Sequence, residues 1–468
     1  EKLVQDVHYR DSIREPMNDF FRFQNKALIS ATPIVPEKDS RFDGFMRVLI
    51  QPDYVYRQKL KLITTNNVLE TLQEVIEAKR GTVCIFCNSI DSIDSFYRLI
   101  PELSNACTFC SEDGQYKLWK GNRRKKSMMI TELERYNFFT SRFYSAVDIL
   151  CKNPPHVIFV SDLYGAAQSV IDPATEAIQI IGRFRGGVNS VTHIASIRPE
   201  LECMSSSEID HWIQGASTIF NGWKAQLART TNIGERTLLQ EAIGENSYLP
   251  YLDENGKPDS FLIANFYEKE QVKRLYPSAD LLHLAYEQTG YFVFSHEERL
   301  MPVSDNERMA IQHRLAKKKR AELIVRKLEE MEKMSRTTDK KIQKRYQRML
   351  MNLITSTADR YIYDCFCRFG AEFVREADYN ENKLRAALNV SSEHTIKKSG
   401  QMRTYIQRAF PVGAEISVQE AKSMLRQVYK KMGLNTGRGI TTKELEQYAE
   451  IENSRNREAR MIKILKHK

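Results

Sequence analysis

Two arginines set one residue apart after a glycine, in Gln179-x-x-Gly182-Arg183-x-Arg185, are the side chains best suited to chemistry in this chain. A guanidinium presents a planar fork of N–H donors that matches phosphate oxygens, and it stays charged at physiological pH. Two such groups could stabilise the charge that develops during phosphoryl transfer. Gly186-Gly187 follows directly. That pair predicts the end of a helix begun near Asp172-Pro173, with Arg183 and Arg185 in extended chain, where alternate residues share a face. The competing reading is structural: a helix C-terminus carrying arginines that match its dipole. Three polar runs precede this one in order. They are Ser30-Ala31-Thr32-Pro33, Asn88-Ser89 at the end of an apolar run from Val83, and Thr140-Ser141 followed by Ala146-Val147-Asp148-Ile149.

The cysteines offer a second chemistry, because Cys84-x-x-Cys87 and Cys107-x-x-Cys110 formally match a four-cysteine zinc spacing. Cys84 and Cys87 lie inside the apolar run Thr82-Val83-Cys84-Ile85-Phe86-Cys87, which predicts a buried strand. Positions three apart on a strand face opposite ways, so one ion could not readily take both sulfurs. Neither pair has the Gly or Pro turn that a zinc knuckle needs. Core cysteines are expected here, and no metal ligand is assigned.

These side chains must be positioned by elements that the pattern also predicts. Asn67 is a plausible N-cap for a helix with Val68, Leu69, Leu72, Val75 and Ile76 on its apolar face, stopped near Gly81. Strands are expected at 28–30, 82–87, 106–110, 136–140, 157–160 and 191–195, with helical patterns between most of them. That alternation predicts a parallel α/β sheet over residues 1–205. Residues 206–302 read as a connecting mixed α/β domain, with a hairpin signal at Asp253-Glu254-Asn255-Gly256-Lys257. Residues 303–408 read as a basic helical region: the capping box Ser304-x-x-Glu307 precedes a long charged helix with Lys317-Lys318-Lys319-Arg320, and a second helix carries Lys340-Lys341, Lys344-Arg345 and Arg348. Residues 409–468 hold two further boxes, Ser417-x-x-Glu420 and Thr441-x-x-Glu444, and a basic strand from Arg460 to Ile464. Two capped helices and a basic strand predict a winged-helix-like C-terminal domain.

The composition is that of a globular protein, 42% hydrophobic and 28% charged. No run of roughly 18 uncharged apolar residues occurs, which argues against a membrane span. The start has neither signal-peptide nor transit-peptide character, and with no initiator Met, Glu1 is not expected to be the natural beginning. A net charge of +10 favours a polyanionic partner, since clustered Lys and Arg release counterions from phosphates. For the run Lys317, Lys318, Lys319 and Arg320 the alternatives are a solvated helix face and a phosphate-tracking surface.

The four polar runs, taken in order, resemble motifs III, IV, V and VI of the second RecA-like domain of superfamily 2 helicases. The shorter Gly182-Arg183-x-Arg185 form is also similar to viral origin-binding helicases, whereas the common form spaces its arginines three apart. Ala146 stands where the family usually has Gly. The segment from Phe410-Pro411-Val412-Gly413 to Tyr448 is similar to C-terminal domains of phage and mobile-element helicase and primase proteins.

The resemblance implies an α/β fold: a RecA-like parallel-sheet domain followed by a mostly helical basic region with a small winged-helix-like unit. It implies that Arg183, Arg185 and Gln179 are catalytic and that Asp148, Gly182, Arg183 and Arg185 contact ATP. It also implies that Ser30, Thr32, Ser89, Thr140 and Ser141 contact nucleic acid or couple to it, with Lys317, Lys318, Lys319 and Arg320 as further contacts. No Gly-x-x-x-x-Gly-Lys-Ser/Thr loop occurs, and no Asp-Glu pair precedes Ser30. ATP and Mg2+ would then be held by a first RecA-like domain, in cis or on a separate chain, and this chain would hold half of a nucleotide site. The expected partner is nucleic acid, DNA before RNA, and no membrane. The expected setting is phage or mobile-element DNA replication in the cytoplasm of a bacterium or infected host. The rival reading is a RecA-like nucleic-acid-binding or replication accessory protein without hydrolysis.

Overall fold

Short runs of β-branched and aromatic residues build the larger of two sheets in the computed structural model, which describes residues 2–7, 11–36, 38–118, 125–130, 132–145, 147–334, 340–434, 439–455 and 459–468. The eight strands are β1 (Gln58–Thr65), β2 (Val83–Phe86), β3 (Cys107–Phe109), β4 (Lys125–Ser127), β5 (Tyr136–Phe139), β6 (His156–Ser161), β7 (Ser190–Ser196) and β8 (Phe292–Arg299). They pair in the order β4-β3-β5-β2-β6-β7-β1-β8, always parallel. Because side chains alternate across a strand, Cys84, Phe86, Phe139 and Phe159 enter one core, and Val83, Ile85, Phe138 and Ile158 enter the other. The crossovers of a parallel sheet place helices on both faces. α1 (Val68–Glu77) and α2 (Ile90–Leu99) cover the second core, and α3 (Glu176–Gly182) packs Ala177, Ile180 and Ile181 into the first. Asn67 caps α1, accepting the Glu70 N–H at 2.9 Å, and Gly81 takes φ +92° beyond its end.

Cys84 and Cys107 belong to the first core, and Cys87 and Cys110 to the second. The sheet therefore stands between the members of each pair, as the strand reading requires. A tetrahedral site needs four sulfurs about 2.3 Å from one ion.

The chain divides into two compact units, Glu1–Met309 and Ala310–Lys468. The expected boundary at 205 falls inside the first, because β8, from the segment read as a connecting domain, pairs with β1 along eight residues. The strand expected at 28–30 is absent: this segment is irregular, Leu28 and Ile29 are exposed, and no neighbouring strand gives it a ladder. The turn at Asp253–Lys257 does close, the Asp253 N–H reaching the Lys257 carbonyl at 2.7 Å. Its flanks are not strands, however. Asp259 caps a helix instead, accepting the Phe261 and Leu262 N–H groups, and this helix runs Ser260–Lys273. Between β7 and that helix lie α4 (Ser206–Arg229) and α5 (Ile233–Gly244), packed on each other. Taking the Ser260–Lys273 helix as α6, α7 (Ala279–Gln288) follows and places Leu282 and Tyr286 in the first core.

The Ser304 box forms, with Glu307 N–H donating to Ser304 Oγ at 3.2 Å and Ser304 N–H to the Glu307 carboxylate at 3.0 Å. It caps only the short helix Asp305–Met309, not the long one. In the second unit α8 (Lys317–Met334) begins at the basic run itself and is followed by α9 (Lys340–Ser356), α10 (Arg360–Glu376) and α11 (Glu381–Lys397). The side chains of 341 and 345 lie outside the described residues. α12 (Gly400–Ala409), β9 (Glu415–Ser417), α13 (Val418–Lys431), a 3-10 turn at Thr442–Gln447, β10 (Ala449–Arg455) and β11 (Arg460–His467) complete the unit. The three strands form an antiparallel sheet in the order β10-β11-β9, and its Ile462 and Ile464 pack on Leu425 and Val428 of α13. The Ser417 cap forms, at 3.2 Å to the Glu420 N–H. Thr441 caps a 3-10 turn, not the second α-helix expected, because Leu445 and Tyr448 are drawn into the same small core within one turn.

Candidate functional site

Three of the residues singled out from sequence join in one hydrogen-bonded chain, and two more form an ion pair beside it. Thr32, buried in its irregular segment, accepts the Gln179 side-chain amide at 2.8 Å. Gln179 lies on α3 and accepts Arg183 twice, through its backbone carbonyl at 2.9 Å and its side-chain oxygen at 3.3 Å. Arg183 also donates to the Val147 carbonyl at 3.3 Å. The next residue of that loop, Asp148, pairs with Arg185 at 3.0 Å. The loop is itself anchored, since the Ile149 N–H donates to the Arg183 carbonyl at 2.9 Å. Residues 147–149 and 183–185 therefore run side by side.

Arg183 and Arg185 are not in extended chain. Arg183 keeps helical dihedrals at the end of α3, and Phe184 between them is buried, 6.1 Å from Phe86 in edge-to-face contact. That anchor turns the backbone, and Gly187, at φ +79°, closes the turn with its N–H on the Phe184 carbonyl. The two arginines differ in freedom. Arg183 is held by three protein acceptors, whereas the Arg185 side chain is 63% exposed beside a half-exposed Asp148. A Cβ at Gly182 would meet nothing within 4 Å, so the chain's own packing does not demand glycine there. The surface is open to a ligand.

The remaining residues fall elsewhere. Ser89 and Thr140 follow the carboxyl ends of β2 and β5, the rim where open parallel sheets hold ligands. Ser89 is buried as the N-cap of α2, accepting the Ser92 N–H at 3.1 Å, and Thr140 is buried against the Phe109 carbonyl. Ser141 is half-buried, and Ser30 is exposed, its hydroxyl accepting the Thr32 N–H at 3.2 Å. Ala146 lies outside the described residues. Only part of the set thus sits at strand ends; the arginines project from a helix on the first-core face.

The basic run is largely engaged by the protein itself. Lys317 pairs with Glu381, Lys318 with Asp378 at 2.6 Å, and Arg320 with the buried Asp359 at 2.6 Å. Cations in a first helical turn oppose the helix dipole, and these carboxylates offset that. Lys319 is exposed. The uneven charge lies in the unit as a whole. Of the 70 Lys and Arg, 35 fall in Ala310–Lys468 against 19 of the 60 acids, so this unit carries +16 and Glu1–Met309 carries −6.

Sequence reasoning missed the backbone groups of Val147 and Ile149, which no residue pattern encodes. It also missed a buried network in which His193 sits between the hydroxyls of Ser161, at 3.0 Å, and Tyr286, at 2.7 Å. Burial lowers the His193 imidazole to about 3.

Together these features define an α/β protein on an eight-stranded parallel sheet with an arginine-bearing face. No protein-family model matches the chain, and no curated protein does. Among solved structures it is similar to the C-terminal domain of the DEAD-box protein Dbp5, at 14% identity and a TM-score of 0.20, over 34% of this chain and 82% of that one. A superposition that loose neither assigns an activity nor excludes one. No helix among the described residues is long and apolar enough to cross a membrane.

Proposed function

We propose that Glu1–Met309 is the second RecA-like half of an ATP-dependent superfamily 2 helicase or translocase, and that Ala310–Lys468 adds affinity for nucleic acid, DNA before RNA. The observation that carries this reading is the hydrogen-bonded chain from Thr32 through Gln179 to Arg183, with Arg185 on Asp148 beside it. Residues far apart in sequence converge on one open surface that offers two guanidinium groups. ATP supplies the phosphoryl group when a phosphate-loop domain presents it. Arg183, held by Gln179 and Val147, is preorganised to meet negative charge without reorganising, and Arg185 can leave its solvent-exposed partner to do the same. Asp148, the carboxylate beside Arg185, is paired with it, and the Mg2+ ligands are assigned to the other domain. Thr32 then couples the nucleotide side to the segment that carries Ser30.

In the second unit the order helix, strand, helix, 3-10 turn and hairpin supports the winged-helix reading, and the +16 charge suits a phosphate backbone. Binding should weaken steeply with salt and depend little on base sequence. A flat salt titration would count against it.

The accessory reading has one observation in its favour: Arg183 already has three acceptors within the protein. ATP turnover separates the two. The chain alone should hydrolyse ATP no faster than buffer, whereas the chain joined to a phosphate-loop domain should turn over. Turnover by the chain alone, or none when joined, sinks the helicase reading.

A further inference from the structure

Folding consumes the obvious basic run of the second unit but leaves another set of cations free. Lys317, Lys318 and Arg320 are each paired with a carboxylate. On α13, by contrast, Gln419, Ser423, Arg426, Gln427 and Lys430 are exposed, and among the described residues no side chain pairs with theirs. Their spacing sets them on one stripe, because residues three, four and seven apart share a helix face. The opposite face, with Ala421, Leu425, Val428 and Tyr429, is buried in the small core together with Ile462 and Ile464. That burial fixes the direction of the stripe, which faces outward. We propose that α13 is a duplex-DNA-binding helix that lies in the major groove along this stripe, with Arg426 and Lys430 on backbone phosphates. The inference rests on the nucleic-acid role proposed above for Ala310–Lys468.

Charge and chemistry select the partner. Exposed Lys431 extends the positive face, and α12, which packs against α13, adds exposed Arg403 and Arg408 and contains no acid. The one acid of α13, Glu420, lies in the first turn, where it suits the helix dipole. A protein partner would want an apolar centre to the interface, and the stripe has no apolar side chain. A single strand would want rings on which bases stack, and the stripe has none. Duplex RNA hides its major groove, which is deep and narrow. The major groove of duplex DNA, about 12 Å wide, admits a helix about 10–12 Å across with its side chains. Gln419, Ser423 and Gln427 can each donate and accept there.

The neighbouring element cannot take this role. In a helix-turn-helix the second helix enters the groove. Here that place is held by the 3-10 turn Thr442–Gln447, six residues long against the fourteen of α13. Its Glu444 is tied to Lys397 and Tyr429, and its exposed Lys443 is offset by exposed Glu446. The turn therefore offers phosphates no net attraction, whereas α13 does.

Binding of the full chain to a short fluorescent duplex DNA, followed by anisotropy over a salt series, tests the placement. The double variant Arg426→Ala, Lys430→Ala should weaken binding about tenfold or more at low salt, and should lower the slope of log K against log salt by about 1.8, at about 0.9 per phosphate contact. Arg426→Lys with Lys430→Arg should keep both, while Ser423→Glu, a carboxylate in the middle of the stripe, should weaken binding at least as much. All these side chains are exposed, so unfolding midpoints should stay in place. Lys383→Ala with Lys398→Ala removes the same charge from exposed positions elsewhere in the unit and should leave the affinity nearly unchanged. The Arg426, Lys430 double variant should lose much less on single-stranded DNA and on duplex RNA. Equal losses on all three ligands, or an equal loss in the Lys383, Lys398 variant, overturn the groove placement. Unchanged duplex binding in the Arg426, Lys430 variant overturns it too, and leaves the nucleic-acid role of the unit standing. A full chain that binds none of the three ligands overturns both.

Discussion

Gln179 donates its side-chain amide to the hydroxyl of Thr32 at 2.8 Å, and so ties an irregular N-terminal segment to the helix that ends in Arg183. Thr32→Val removes that acceptor while keeping the shape. A lost hydrogen bond of this kind costs about 1 kcal/mol, more when the abandoned donor is buried. The expected outcome is local: trypsin cleavage at Lys26 and Arg47, on either side of the bond, should speed up several-fold. Unchanged cleavage would show that the bond does not hold the segment down.

Arg183 and Arg185 should separate in their effects on stability. Arg185→Ala breaks an exposed pair worth about 0–1 kcal/mol, so its unfolding midpoint should hardly move. Arg183→Ala removes charged hydrogen bonds to three acceptors, each worth about 1.5–3 kcal/mol at most, and should lower the midpoint measurably. In an assembled ATPase either change should cut kcat on the order of 10³-fold or more while ATP binding largely survives. Undiminished kcat in both variants would leave them as structural residues.

Arg320 should behave as a stability residue and Lys319 as a surface residue. Asp359 is buried, and removing one partner of a buried pair costs about 3–5 kcal/mol because the other charge is left unpaired. Urea melts of Arg320→Ala should show a loss on that scale, against less than about 0.5 kcal/mol for Lys319→Ala. Equal, small losses would mean the Arg320–Asp359 pair contributes nothing.

His193 makes stability depend on pH in a stated direction. Burial depresses its folded-state value to about 3, from an ordinary 6.5, so below 6.5 the unfolded chain takes up a proton that the folded chain refuses. Its contribution is intact above 6.5 and is lost as the pH falls toward 3. Compared with His193→Gln, which can keep a polar link between Ser161 and Tyr286, the unsubstituted chain should lose about 1.4 kcal/mol per pH unit between 6 and 4. Parallel pH profiles for the two proteins would refute this. The comparison matters because buried Asp305, raised to about 6 chiefly by burial, pulls the other way over part of that range.

What the sequence determined by itself was local. The apolar run from Val83 to Cys87 could bury both faces only as a parallel strand between two layers, and Cys84 and Cys87 duly lie in different cores. Asn67 and Ser417 capped as read, because a cap needs only an N–H two or three residues on. Tertiary structure decided whatever depended on a distant partner. The run at 28–30 has strand composition but no ladder to join, while β8 becomes an edge strand only because β1 offers one. The basic run at 317–320 reads as free positive charge until folding brings up Asp359, Asp378 and Glu381. The candidate site divides in the same way: the arginines were legible from their type and spacing, but Thr32 meets Gln179, and Asp148 meets Arg185, only in the folded chain. Spacing along a chain fixes which residues can share an element, whereas contact between elements is set by packing that no local pattern encodes.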